Sequence, residues 1–155
     1  MSDDAQHWLV KESPSSFSIE DFAEKGSTPW YGVRNYEARN NMQAMEEGDL
    51  VLYYHSSASP PGVVGLARVA EAAYPDPTQF DEDSPYYDED ATEDDPTWYR
   101  VDLAYEATFD RKVPLKEIKA EDQLQDMTLV NRSRLSVQPV EADEYELVRE
   151  MANAD

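Results

Sequence analysis

Gly48-Asp49-Leu50-Val51-Leu52-Tyr53-Tyr54-His55-Ser56, followed by Ser59-Pro60-Pro61-Gly62 and by Val63 to Ala70, is the stretch that decides the fold class. Asp49 to His55 is strongly apolar and reads as a strand. The proline–glycine turn ends it, and Val63–Ala70 reads as a second strand. Working outward, His7 to Lys11 predicts a first strand. Trp98 to Phe109 alternates, with Tyr99, Val101, Leu103 and Tyr105 on one face and Arg100, Asp102 and Glu106 on the other. Arg134 to Gln138 predicts a short strand closed by Pro139. A helix starts at Ser18, whose side chain can cap free amides while Glu20 and Asp21 favour the positive end of the helix dipole. A second spans about Tyr36 to Glu47 and stops at Gly48. Leu115–Leu124 and Glu141–Met151 also read as helical. The chain has no internal repeat. Mixed α/β with a strand-dominated core follows, and about five short strands with peripheral helices suit a small, partly open barrel.

The 155 residues are expected to form one domain, long enough to bury a core without staples. With no cysteine there is no disulfide, thiolate metal site or thiol nucleophile. The two histidines, His7 and His55, cannot build a metal site alone, and His7 is expected at the surface. No apolar run approaches the ~20 residues of a membrane helix. The first residues, MSDDAQHW, lack the basic and apolar regions of a signal peptide, so a cytoplasmic protein is expected.

Acids outnumber bases 34 to 13, for a formal charge of −21. Such a charge normally opposes nucleic-acid binding, because phosphate contacts need cations. One reading is an acidic interaction protein that mimics nucleic acid or docks a basic partner. The other, favoured because the acids are dispersed and lysines are scarce, is a halophile-like surface whose self-repulsion is screened over ~3 Å at about 1 M salt. Like charge on every copy disfavours association at low salt, so a monomer is expected. Tyr74 to Pro96 forms one long connection, with ten acids among the twenty residues from Asp76 to Asp95. Its oxygens suit calcium or magnesium, but the spacing is not that of an EF-hand loop, and neither a metal nor another cofactor is expected. A solvated excursion pinned by Pro85-Tyr86-Tyr87 is expected instead.

Four stretches carry a resemblance. They are Trp8-Leu9-Val10-Lys11-Glu12-Ser13-Pro14; Trp30-Tyr31-Gly32-Val33-Arg34-Asn35-Tyr36-Glu37-Ala38-Arg39-Asn40; Gly48 to Ser56 with Pro60-Pro61-Gly62; and Ser133-Arg134-Leu135-Ser136-Val137-Gln138-Pro139-Val140. They resemble the EVE domain, a relative of the PUA, ASCH and YTH domains, with Glu12 and Ser13 in the reverse of the usual order. The resemblance covers Trp8 to about Val148. It implies an α+β, PUA-like, partly open barrel of five to six strands with short peripheral helices, and a nucleic-acid reader that accepts a flipped, modified base.

Such a reader needs a pocket with aromatic or apolar walls, polar groups for the base edge, and cations or amides outside for phosphate. Trp30 and Tyr36 can stack on a base, Asn35 and Asn40 offer amides, and Arg34 and Arg39 offer guanidinium forks. The competing reading makes Trp30 a core residue and Arg34 a carboxylate partner. The resemblance implies that Trp30, Val33 and Asn35 line the pocket. In the last motif Arg134 and Ser136 share one strand face and either meet solvent or reach the pocket; the resemblance implies the latter. The expected base pocket is therefore Trp30, Val33, Asn35, Tyr36, His55, Ser56, Leu135 and Ser136. The expected phosphate-facing rim is Lys11, Ser13, Arg34, Arg39, Asn40, Arg134 and Gln138. His55 beside Ser56 has no local acid to orient the ring and no G-x-S-x-G elbow, so ligand contact rather than catalysis is expected.

Trp30–Asn41 and Met127–Val140 hold four arginines and one acid, Glu37, while Leu50–Ala70 holds no acid. On so acidic a chain this favours an anionic ligand at these stretches. The expected function is non-catalytic binding of nucleic acid, with modified cytosine in DNA favoured and RNA also open. An acidic protein-interaction module and a nucleotide-processing enzyme are the readings of another class.

Overall fold

The computed structural model describes residues 6–15, 17–30, 35–56, 60–132 and 135–153. Its strands are β1 (His7–Glu12), β2 (Ser27–Trp30), β3 (Leu50–His55), β4 (Gly62–Pro75), β5 (Tyr99–Pro114) and β6 (Val137–Val140). Its helices are α1 (Ile19–Lys25), α2 (Tyr36–Ala44), α3 (Leu115–Ala120), α4 (Thr128–Asn131) and α5 (Ala142–Asn153), with short 3-10 turns at Pro77–Phe80 and Asp122–Leu124. The six strands form one sheet in the order β2-β5-β4-β3-β1-β6, whose ends do not pair. This is the expected open α+β architecture. β1 runs parallel to β3; the other pairings are antiparallel.

The sheet is covered on both faces, which explains why β3 is apolar from Leu50 to Tyr54, before the buried His55 ends it. Val51 and Tyr53 join Ile19 and Phe22 of α1 and Ala38 and Met42 of α2 in one core. Leu52 and Tyr54 face the other way, onto Ile118, Leu129, Tyr145 and Val148 from α3, α4 and α5. β1 divides in the same manner, Trp8 and Val10 against Leu9. Ser18 caps α1 as its residue type predicts, accepting from the Asp21 amide at 3.1 Å.

One buried carboxylate fixes the β1–β3 register. Asp49 accepts from the Trp8 indole at 2.9 Å, the Gln6 amide at 3.0 Å and the Glu46 amide at 2.9 Å. Gly48, at φ 91°, turns the chain into this clamp. Gly65 allows a close approach: a Cβ there would stand 2.5 Å from the Ala107 carbonyl oxygen and 2.8 Å from Ile19 Cδ1.

Three expectations are corrected, and two elements, β2 and α4, are additional. The helix from Tyr36 ends at Ala44 rather than near Glu47, because Met45 turns into the core, 2% exposed. The last strand starts at Val137 and contains Pro139, which therefore does not close it; Leu135 and Ser136 precede it. Pro139 is tolerated because β6 is an edge strand. β2 and α4 had no clear signal in the sequence. Tyr86 and Tyr87 remain 38% and 40% exposed, and other residues tie the acidic connection down.

Burial pushes the Tyr145 phenol up to about 12 and raises that of Tyr53 further, helped there by Glu12 and Asp21. The unfolded chain releases these protons near pH ~10, while the folded chain keeps them. Stability is therefore expected to hold below pH ~10 and to fall as pH rises from there towards 12. Thermal melts between pH 8 and 12 check this, and Tyr145→Phe should flatten the decline. Among the described residues no helix is long and apolar enough to cross a membrane.

Candidate functional site

Because β1 and β3 are parallel, their C-terminal ends emerge at the same edge of the sheet. The Ser56 amide donates to the Glu12 carbonyl at 3.2 Å, and the Lys11 amide donates to the Ser136 carbonyl at 3.0 Å. Three segments far apart in sequence, Lys11–Ser13, His55–Ser56 and Leu135–Ser136, thus meet through the backbone. Trp30, at the end of β2, joins them from the core side. Its ring meets Tyr53 edge-on at 5.7 Å, and Tyr53 meets His55 edge-on at 5.4 Å. Leu135 belongs to the same buried cluster. Val33, Arg34 and Arg134 lie outside the described residues.

The chemistry available at this edge is narrower than residue types alone imply. His55 is 5% exposed. The Ile19 amide donates to its Nε2 at 3.2 Å, so that nitrogen is an acceptor, and Nδ1–H is left to donate to the Glu12 carbonyl at 3.1 Å. Both ring nitrogens are committed to backbone, which removes His55 as a general base. Trp30 is 8% exposed and packs in the core cluster with Tyr53 and Leu135, not as an open stacking platform. Tyr53 is fixed by its hydroxyl, which donates to the Phe17 carbonyl. Asn35 caps α2, its side-chain oxygen accepting from the Ala38 amide at 2.9 Å, a use that leaves the amide nitrogen out of the cap. The Lys11 ammonium lies 5.5 Å from the centre of the Tyr54 ring, and burial lowers its pKa. Ser13 shapes the turn after β1, with its hydroxyl 2.8 Å from that of Ser15.

Other expected site residues are engaged elsewhere. Gln138 is fully buried, and its amide nitrogen donates to the carbonyls of Arg132 and Leu135 at 3.2 and 2.7 Å. It braces the chain that carries Leu135 and Ser136. Arg39 donates to the Thr97 carbonyl at 2.9 Å and to the Asn40 side-chain oxygen. Tyr36, 61% exposed, stacks on Trp98 at 5.0 Å and also carries the Arg39 guanidinium at 5.0 Å. These three residues thus join the N-terminal part of α2 to the end of the acidic connection. Glu37, the single acid in the two arginine-bearing windows, is held by Arg132 at 2.5 and 3.0 Å. Arg132 holds the Glu37 carboxyl below its ordinary value by hydrogen bonding. That bridge ties α2 to the segment after α4, so the two acid-poor windows adjoin.

The sequence did not single out Tyr53, Gln79 or Trp98. Gln79 is buried and closes the acidic connection with all of its amide: it donates to the carbonyls of Asp76 and Trp98 and accepts from the amides of Thr97 and Trp98. A glutamine in a polar loop carries no sequence signal of this role. Gln79→Leu leaves those groups unmatched, at a cost of about 1–3 kcal/mol for each group that water cannot reach. The expected outcome is local opening: the Thr97 and Trp98 amides lose hydrogen-exchange protection while the β3 amides keep theirs. Among the described residues no three His, Asp or Glu side chains cluster to hold a metal ion.

The EVE domain family model matches residues 6–151. Thymocyte nuclear protein 1 of Homo sapiens is 40% identical over 163 residues, covering 93% of this chain and 72% of that protein. The crystal structure of human THYN1 protein in complex with 5-methylcytosine-containing DNA matches with a TM-score of 0.92 at 37% identity, over 97% of this chain and 99% of that one. The YTH domain of Zygosaccharomyces rouxii MRB1 protein, solved with N6-methyladenosine RNA, matches at TM-score 0.57 and 15% identity, over 99% and 87%; it shares the fold.

Proposed function

The chain belongs to the EVE domain family, and from that membership we propose that it is a non-catalytic nucleic-acid-binding module that accommodates a flipped, modified base, with modified cytosine in DNA favoured. The observation that carries this reading is the likeness along nearly the whole chain to the human protein bound to 5-methylcytosine-containing DNA. The meeting of Lys11–Ser13, His55–Ser56 and Leu135–Ser136 at one edge, with the Trp30 ring packed against Tyr53 in the core behind them, supports it. In this reading Trp30 and Leu135 are apolar walls, together with Val33. Asn35, Ser56 and Ser136 supply hydrogen bonds to the base edge. His55 holds the pocket's shape through its two backbone contacts. Lys11, Ser13, Arg34 and Arg134 are assigned to phosphate, while Gln138 braces the segment of Leu135 and Ser136, and Arg39 with Asn40 holds the end of the acidic connection. The commitment of both His55 nitrogens and the lack of cysteine support binding without catalysis.

The test is a titration of matched oligonucleotides, plain and carrying 5-methylcytosine, with an RNA arm, across several salt concentrations. Burying one methyl group is worth ~0.8 kcal/mol, so about a fourfold preference for the modified base is expected. Three cations at the rim predict a log–log salt slope no steeper than about −3. Equal affinity for both bases, with all binding lost at physiological salt, would sink the proposal. Tighter binding of RNA would transfer it to that polymer.

A further inference from the structure

An open cavity of about 450 Å³ lies on the acidic connection, lined by Pro85–Asp90 and Trp98. This volume is within the range of small-ligand sites, ~300–1,000 Å³. Its lining combines three rings, Tyr86, Tyr87 and Trp98, with three carboxylates, Asp88, Glu89 and Asp90. One carboxylate is held in place: Asp88 accepts from the Trp98 indole at 2.7 Å and from the Asp90 amide at 3.0 Å. A separate observation draws attention to the same place. Among the described residues, the large hydrophobic side chains left exposed are Tyr36, Tyr86 and Tyr87. All three gather around Trp98, one stacked on it and two lining the cavity with it.

The chemistry of this lining selects its ligand. Carboxylates repel phosphate, so the cavity does not suit the polymer backbone. A divalent metal needs several converging oxygens, and no three carboxylates cluster for that purpose among the described residues. A neutral apolar ligand would gain nothing from the acids. An alkylammonium ion uses both features, since ring faces attract it and carboxylates complement its charge without close coordination. We propose that the cavity formed by Pro85–Asp90 and Trp98 is a second binding site, for an alkylammonium cation, whether the lysine side chain of a basic peptide or a free polyamine. The site stands independently of the nucleic-acid reading.

The experiment follows the Trp98 indole N–H by 15N NMR on the full chain at ~0.15 M salt, where a Debye length of ~8 Å damps general attraction to the acidic surface. The probes are choline; its neutral isostere 3,3-dimethylbutan-1-ol; spermidine; and a lysine-rich peptide with its acetylated form. Choline is expected to shift the Trp98 signal and the alcohol is not. Tyr87→Ala, and the pair Glu89→Gln with Asp90→Asn, should each weaken choline binding about three- to tenfold. Tyr87→Phe should keep it, as should the equally neutralising control pair Glu24→Gln with Glu47→Gln, away from the cavity. The spermidine and peptide arms then identify the source of the cation. A Trp98 signal that ignores choline, an equal response to the neutral alcohol, or equal weakening by the control pair would overturn the site.

Discussion

Asp49→Ala is expected to destabilise the protein by about 2–5 kcal/mol, lowering the melting temperature by roughly 5–15 °C. The carboxylate is 3% exposed and receives three donors. Removing it leaves the Trp8 indole N–H inside the core without an acceptor, and frees the Gln6 and Glu46 amides, which water can partly satisfy. The unmet indole dominates, since an unsatisfied buried donor costs more than a made hydrogen bond gains. Asp49→Asn keeps one acceptor oxygen and should fall between wild type and Ala. A thermal melt decides; an unchanged midpoint in Asp49→Ala would remove Asp49 as the clamp on the β1–β3 register.

Gly65→Ala is the second large effect. The added methyl would meet the Ala107 carbonyl oxygen, which belongs to the neighbouring strand's backbone and cannot swing aside, and the Ile19 side chain at the start of α1. Overpacking of this kind costs about 1–3 kcal/mol, and Gly65→Val should cost more. The consequence reaches the site, because the Ile19 amide is what holds His55 Nε2. The variant should therefore lose nucleic-acid affinity as well as stability. Its melt and its oligonucleotide titration should move together; a destabilised variant with full affinity would separate His55 from the pocket's shape.

The sequence revealed strands where side chains repeat on a pattern. The apolar run from Leu50 to Tyr54 is a direct print of burial on two faces, and the alternation from Tyr99 to Tyr105 prints the burial of Val101 and Leu103 on one side. The two edge strands were hard to read for a shared physical reason. β2 contains Pro29 and β6 contains Pro139, and each proline erases a strand signal in the sequence. A proline can sit there only because an edge strand needs fewer ladder donors, and it also discourages further strands from adding. α4, at four residues, is too short to show a helical period.

At the candidate site, motifs chose the segments but not the use of each side chain. His55 and Ser56, Leu135 and Ser136, and Lys11 do meet at one edge. Gln138 and Arg39 are polar residues in the right motifs, yet Gln138 turns back onto the carbonyls of Leu135 and Arg132 in its own segment, and Arg39 donates to the Thr97 carbonyl, brought in from 58 residues away. A partner so distant has no trace in local sequence. Trp98 was legible only as a strand residue. Its contacts with Tyr36 and Asp88 depend on a connection whose closure rests on one glutamine.

The three tryptophans supply the decisive measurement. Trp30 stands at the proposed pocket, Trp98 at the acidic connection, and Trp8 at the Asp49 clamp near the opposite end of β1. An 15N NMR titration with a 5-methylcytosine oligonucleotide should shift the Trp30 indole N–H and the Lys11, Ser56 and Ser136 amides, leaving the Trp8 indole N–H in place. Saturating oligonucleotide that leaves Trp30, Ser56 and Ser136 unmoved would contradict a base-reading pocket at this edge.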